Sequence, residues 1–189
     1  MKNYQREYPL LSACGLNCGL CPRYHTDGSS KCPGCGGEGF FSKHPSCGII
    51  SCSRRHGIEY CYLCDEYPCK KYDGVNLVDS FITHRNMLKD FEKAKTEGLD
   101  NYKTMLNEKV DILHFLLDNY NDGRRKNFYC IAVNLLDLQD VKSVVKQIAI
   151  ETEERNLTLK EKALIAANLF QAMAEQRNIV LKLNKKPSK

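Results

Sequence analysis

The sequence predicts two unlike parts in series: a small, irregular, cysteine-rich domain over residues 1–75 and an all-α helical bundle over residues 76–189. Three observations carry this. Ten of the eleven cysteines fall between Cys14 and Cys69. The same stretch holds most of the glycine and proline, with sparse apolar residues of no sustained period. From about Asn76 the cysteines almost vanish and apolar residues recur at helical spacing. The turn-forming pair Asp73-Gly74 marks the boundary.

The first part cannot bury enough apolar surface to order itself unaided, so it is expected to be metal-stabilised, in the manner of a zinc ribbon or knuckle. Thiols this dense are a disulfide framework in a secreted chain and a metal site in a reducing compartment. The opening residues MKNYQREYPLLSAC lack the apolar run of a signal peptide, and no stretch approaches a membrane span. A cytoplasmic, metal-bound module is therefore expected, with no membrane partner.

Three cysteine pairs have C-x-x-C spacing: Cys18/Cys21, Cys32/Cys35 and Cys61/Cys64. That spacing lets one tight turn aim two thiolates at one ion, and two such turns complete a tetrahedral zinc site. The expected grouping is Cys18, Cys21, Cys32 and Cys35 around one zinc, and Cys47, Cys52, Cys61 and Cys64 around a second. Cys14 and Cys69 are then left over, each free to exchange with a neighbour or to join a third site with His25, His44 or His56. Each of those histidines is more simply a surface or loop residue. An iron–sulfur cluster is the alternative cofactor, because thiolates alone do not separate zinc from iron. Cys14-x-x-x-Cys18-x-x-Cys21 has the spacing of radical S-adenosylmethionine enzymes, but the chain has neither the length nor the strand–helix alternation for their barrel. Cys32-Pro33-Gly34-Cys35 resembles a redox dithiol without the surrounding βαβ pattern.

The motifs CGLNCGLCP at 14–22, KCPGC at 31–35, the Cys47/Cys52 pair and HGIEYCYLCDEYPC at 56–69 resemble a family of bacterial and archaeal proteins, the domain of unknown function numbered 3795. The segment NDGRRKNFYCIAVNLL at 121–136 is similar to an extension seen in some members. The resemblance implies a prokaryotic, cysteine-rich, zinc-binding protein and brings no catalytic residue with it.

In the second part five amphipathic helices are expected. Leu77, Phe81, His84, Leu88 and Phe91 form the first stripe, with Gly98 at its end. Leu106, Val110, Leu113 and Leu117 form the second, halted by Asn121-Asp122-Gly123. Phe128, Ile131, Ala132 and Leu135 form the third. Val141, Val144, Val145 and Ile148 form the fourth, behind Asp137 or Asp140 as N-cap. Thr158 and Glu161 stand in capping-box spacing ahead of Ile165, Leu169, Ala172 and Met173, with Ala166 and Phe170 widening that face. The tail LNKKPSK is expected to fray. Cys130 reads as a core residue, and His84 and His114 as packed histidines.

Outside the cysteines the signals are weaker. Arg124 and Arg125 follow Gly123 where a helix begins, a place where backbone amides and cations can hold an anion. Arg54, Arg55 and the basic turn at 124–126 are the residues a nucleic-acid reader would use, yet the net charge of +5 is mild for that class. No Ser-His-Asp order, phosphate-binding glycine loop or carboxylate pair is present, so the chain reads as a non-catalytic binding or interaction module for a protein or small ligand. Nucleic acid is possible as a partner and not favoured.

Overall fold

A computed structural model describes residues 4–153 and 155–186. Among these residues there are seven α-helices and no strand. Two short helices, α1 (Phe40–Lys43) and α2 (Gly48–Arg55), lie in the cysteine-rich region, together with single 3-10 turns at Cys18–Leu20, Gly28–Ser30, Cys61–Leu63 and Lys70–Tyr72. Five longer helices follow: α3 (Met87–Thr96), α4 (Leu99–Asn119), α5 (Lys126–Leu135), α6 (Leu138–Thr152) and α7 (Leu159–Gln176).

Five helices were expected after residue 76 and five are found, but the first is displaced. It begins at Met87 rather than near Leu77, and Leu77 and Phe81 are 70% and 62% exposed. Short polar side chains over 79–85 capture the backbone that a helix would need. Asp79 Oδ1 accepts the amide of His84 at 2.7 Å, and Thr83 Oγ1 accepts that of Arg85. The other carboxylate oxygen of Asp79 accepts the amide of Asn184, and the Asn184 carbonyl accepts the Asp79 amide. The expected fraying of 183–189 is corrected by the same bonds for Asn184. Residues 187–189 lie outside the described residues.

The core runs along α4, whose Leu106, Val110, Leu113 and Leu116 are buried, while Leu117 of the expected stripe is half-buried. α5 contributes Tyr129, Cys130, Ala132, Val133 and Leu135, so its buried face is turned slightly from the expected stripe, and Phe128 and Ile131 are half-buried. α6 places Val141, Val144 and Ile148 against α7, as its period requires. In α7 the buried line is Ala163, Ala166, Ala167, Phe170 and Ala174, while Ile165, Leu169 and Met173 of the expected stripe are half-buried and Ala172 is exposed. Four alanines on that line let the helix axes approach closely. The capping box of Thr158 and Glu161 is formed in both directions. Asp137 sits at the N-cap of α6 without a side-chain bond to it.

The cysteine-rich region is continuous with this core. Leu11, Leu20 and Tyr60 are buried in one cluster with Phe91, Tyr102, Leu106 and Val110. Gly19 lies so close to Val110 and Leu10 that a Cβ would stand 2.8 Å from a Val110 methyl. A second, smaller cluster of Ala13, Cys35, Phe40 and Ile50 lies within the cysteine-rich region itself.

Candidate metal centre

The backbone builds two knuckles on the same plan. Cys18–Leu20 forms one 3-10 turn, closed by the Cys21 amide on the Cys18 carbonyl at 3.1 Å; Cys61–Leu63 repeats it, with the Cys64 amide on the Cys61 carbonyl at 3.0 Å. In each, the second cysteine leaves the turn in an extended conformation. The Cys61 amide donates to the Ala13 carbonyl at 2.9 Å, which fixes the third C-x-x-C pair beside Cys14. The Cys32–Cys35 turn is held by the Cys35 amide on the Pro9 carbonyl. Gly34 is required there: its φ is +83°, and a Cβ would stand 2.5 Å from the Pro9 oxygen.

Two thiol groups result. Cys52, Cys61, Cys64 and Cys69 line one cavity of about 60 Å³ together with His56, Tyr67 and Tyr72. Cys18 and Cys47 pack with Cys35 on the small cluster of Ala13, Phe40 and Ile50, and Cys14 lies near Cys35 and Cys47. Cys69 therefore stands with Cys52, Cys61 and Cys64, and Cys47 with Cys18 and Cys35. Cys21 and Cys32 adjoin through the Cys32 amide on the Arg23 carbonyl, and Cys18 lies near both. All eleven cysteines are free thiols, and Cys130 is in the bundle core at 2% exposure. Among the described residues no group of three or more His, Cys, Asp or Glu side chains is gathered on a point where an ion would sit.

Burial dominates the acidity of these thiols. It pushes Cys14 up to about 11 against a hydrogen bond with the Ser12 hydroxyl at 3.0 Å, and it pushes Cys18 well up. Cys35 is also raised by burial, with the Arg6 guanidinium pulling the other way. Arg6 is itself buried, donating to the Leu11 carbonyl and to Glu59 and lying 4.6 Å over the Tyr60 ring. The Tyr72 hydroxyl donates to the Cys14 carbonyl at 3.1 Å, and the Tyr72 side chain lines the cavity beside Cys61, so one phenol stands between the two thiol groups.

A buried polar network anchors the first knuckle to the bundle. Asn17 is 3% exposed; its Nδ2 donates to Asp90 Oδ2 at 2.9 Å and to Asn134 Oδ1 at 3.0 Å, and its Oδ1 accepts from the Tyr102 hydroxyl at 2.8 Å. Burial raises Asp90 to about 6 and lowers Lys109 to about 8. None of Arg6, Asn17, Asp90 or Tyr102 was singled out from sequence. An asparagine inside C-G-L-N-C carries no mark that separates a network residue from a turn residue.

The other candidates are placed as follows. His25 Nε2 is 2.7 Å from the Gly19 carbonyl, His44 is exposed beside Phe40, and His56 lines the thiol cavity. His84 is half-buried beside Ser80 and the Val75 carbonyl, while His114 is exposed against His25. The amides of Gly123, Arg124 and Arg125 already donate to the Asn121 and Asp122 side chains, and Arg125 Nε lies 3.7 Å from Asp122 Oδ2. Arg54 and Arg55 are exposed, Arg54 lying 5.6 Å over the Tyr4 ring. No helix among the described residues is long and apolar enough to cross a membrane.

Residues 10–74 match a family model, that of the "Protein of unknown function (DUF3795)" family, in agreement with the motif resemblance. The match spans both knuckles and ends at Gly74. No curated protein and no solved structure matches the chain.

Proposed function

We propose that the chain is a structural zinc protein: two tetrathiolate sites tie its cysteine-rich segment together, and it acts by binding a protein or small ligand rather than by catalysis. The observation that carries the reading is the cavity lined by Cys52, Cys61, Cys64 and Cys69. Its four thiols come from α2, the second knuckle and the residue before the last 3-10 turn. A volume of about 60 Å³ suits an ion and is far below the several hundred Å³ of an organic-ligand pocket. Four sulfur donors favour a closed tetrahedral zinc site.

The Tyr67 hydroxyl supports the fit. It is buried and has no hydrogen-bond partner among the described residues, and its side chain lines this cavity. A phenol donor beside thiols finds its acceptor in a thiolate sulfur. The second site is assigned to Cys14, Cys18, Cys35 and Cys47, with Arg6 offsetting thiolate charge at Cys35. Zinc would supply the cross-link and the positive charge at each centre. The protein's own contribution is the knuckle turns, the buried guanidinium and the two phenols.

Elemental analysis of protein purified without added metal tests this directly. Two zinc ions per chain are expected, with Cys64→Ser and Cys35→Ser each losing about one. Cys69→Ser loses one as well, while Cys21→Ser retains both, which separates this grouping from one that follows the C-x-x-C pairs alone. Stoichiometric iron with visible absorption would replace zinc by an iron–sulfur cluster, and a metal-free native protein would end the proposal.

A further inference from the structure

Going beyond the metal reading, we propose that the surface where the loop between Cys21 and Cys32 meets the start of α5 is a seat for single-stranded nucleic acid, with a base stacked at Phe81 and its phosphate at Lys126 and Arg23. Two open cavities of about 470 and 420 Å³ share Lys126, which stands between them with its Nζ donating to Thr26 Oγ1 at 3.1 Å. The smaller is lined by Arg23, Thr26, Ser80, Phe81 and Asn127 among others, with no carboxylate in its wall.

Phe81 is the unusual member. It is 62% exposed, held outside the core by the polar-captured stretch 79–85, and its ring carries the Arg23 guanidinium at 4.7 Å. An aromatic face, a cation stacked on it and a second cation a short way along the groove are the parts that sequence-tolerant single-strand binding uses. The larger cavity repeats the pairing more loosely, with Lys31 6.0 Å from the Tyr24 ring. Asp27 and Asp118 also line that cavity and oppose phosphate there. The base seat is accordingly the smaller cavity, with the strand continuing past Lys126. Ser80, Thr26 and Asn127 supply hydroxyl and amide groups for base edges without imposing one base. Arg54 and Arg55 take no part in either cavity wall.

The test is fluorescence anisotropy of the native full-length protein with a labelled dT12 strand, titrated at several salt concentrations. Two to three phosphate contacts predict a slope of log K against log salt of about −2. Phe81→Ala should weaken binding about tenfold with the slope unchanged, as lost stacking does. Lys126→Ala should weaken it and make the slope shallower by about 0.7. Phe81 is exposed and Lys126 half-buried, and circular dichroism checks that each variant keeps its helices. The Arg54→Ala/Arg55→Ala double variant should bind like the parent. Competition with AMP then identifies the source of the nucleotide unit: displacement at comparable concentration assigns the seat to free nucleotides, and failure to displace assigns it to a strand. Absence of dT12 binding together with absence of AMP binding overturns the proposal. So does affinity indifferent to Phe81→Ala, or lost equally in the Arg54/Arg55 variant.

Discussion

Residues 99–119 form a single 21-residue helix, whereas residues 10–74 hold only two short helices and four 3-10 turns. The long helix satisfies its amides internally and offers one apolar face to its neighbours. The cysteine-rich segment satisfies its amides through turns and through bonds across the segment, such as Cys61 to Ala13 and Cys35 to Pro9. It has two sources of order. Its Leu11, Leu20 and Tyr60 belong to the bundle core, while Cys35, Phe40 and Ile50 form a pocket of their own. The difference separates what packing alone can hold from what needs a cross-link. The first knuckle rests on α4 and α5 and the second on α3; the stretch through α1 and α2 packs on the small cluster and its thiols.

The sharpest way to break the comparison is to damage the bundle and ask what happens to the knuckles. Leu113 is 0% exposed in the shared core. Leu113→Asp should cost about 4 kcal/mol or more, because it buries an unpaired carboxylate where no partner exists. Thermal melting should show the loss in the helical signal. If Leu20 and Tyr60 depend on that core, thiol reactivity of Cys18 and Cys61 should rise with it. An unchanged melting temperature would contradict the placement of α4.

A smaller effect is expected at the seam. Asn17→Ala leaves the carboxylate of Asp90 and the hydroxyl of Tyr102 without the partner that both share, at a cost of about 1–3 kcal/mol. The loss should concentrate in the first knuckle. Hydrogen exchange of the amides between Cys14 and Cys21 should quicken more than exchange in α6 and α7. Uniform acceleration would mean that the knuckle and the bundle open only together.

These two sites also mark how far the sequence could be read. The α4 stripe was legible because a 3.6-residue period over 21 residues has few competing explanations, and the capping box at Thr158 because its chemistry is local. The start of α3 was not legible. Leu77 and Phe81 continue the helical spacing perfectly well, and only the bonds of Asp79 to His84 and Asn184, 105 residues apart in the latter case, show why the backbone leaves it. The thiols were legible as a cluster and not as a grouping, since C-x-x-C spacing states which two thiols share a turn and says nothing of which turns meet. Cys69 reaches the second knuckle through a fold-level approach that no spacing encodes. Asn17 and Asp90 are 73 residues apart, and their meeting was invisible for the same reason.

The pH dependence of stability sharpens the seam further. Burial raises Asp90 to about 6 from 3.8, opposed by Lys109 and by the Asn17 hydrogen bond. As pH rises from about 4 to 6, the unfolded chain releases the Asp90 proton first, so this group favours unfolding increasingly across that window. Its penalty is absent below pH 4 and complete above pH 6. Asp90→Asn should flatten this part of the profile in denaturant titrations at stepped pH. Lys109, pushed down to about 8 by burial, acts at the other end: its penalty is present below pH 8 and is relieved as pH rises toward 10.5. A profile between pH 4 and 6 identical in the parent and in Asp90→Asn would place the raised pKa elsewhere.

The smallest expected effect isolates the bundle from the cysteine side. Thr158 accepts the Glu161 amide at 3.3 Å, and Glu161 Oε2 accepts the Thr158 amide at 2.8 Å, so the N-terminus of α7 is closed by side chains on one exposed turn. The Thr158 hydroxyl also donates to the same carboxylate at 2.7 Å. Thr158→Ala removes one acceptor from an orphan helix amide and one donor to Glu161, at a cost of about 1 kcal/mol. Among the described residues no hydrogen bond joins the knuckles to this turn. The loss should therefore appear as a lower denaturation midpoint at unchanged denaturant slope, with metal content and thiol reactivity as in the parent. If metal content falls with Thr158→Ala, the two regions are coupled through the whole bundle. The seam at Asn17 and Tyr102 would then be only one of their connections.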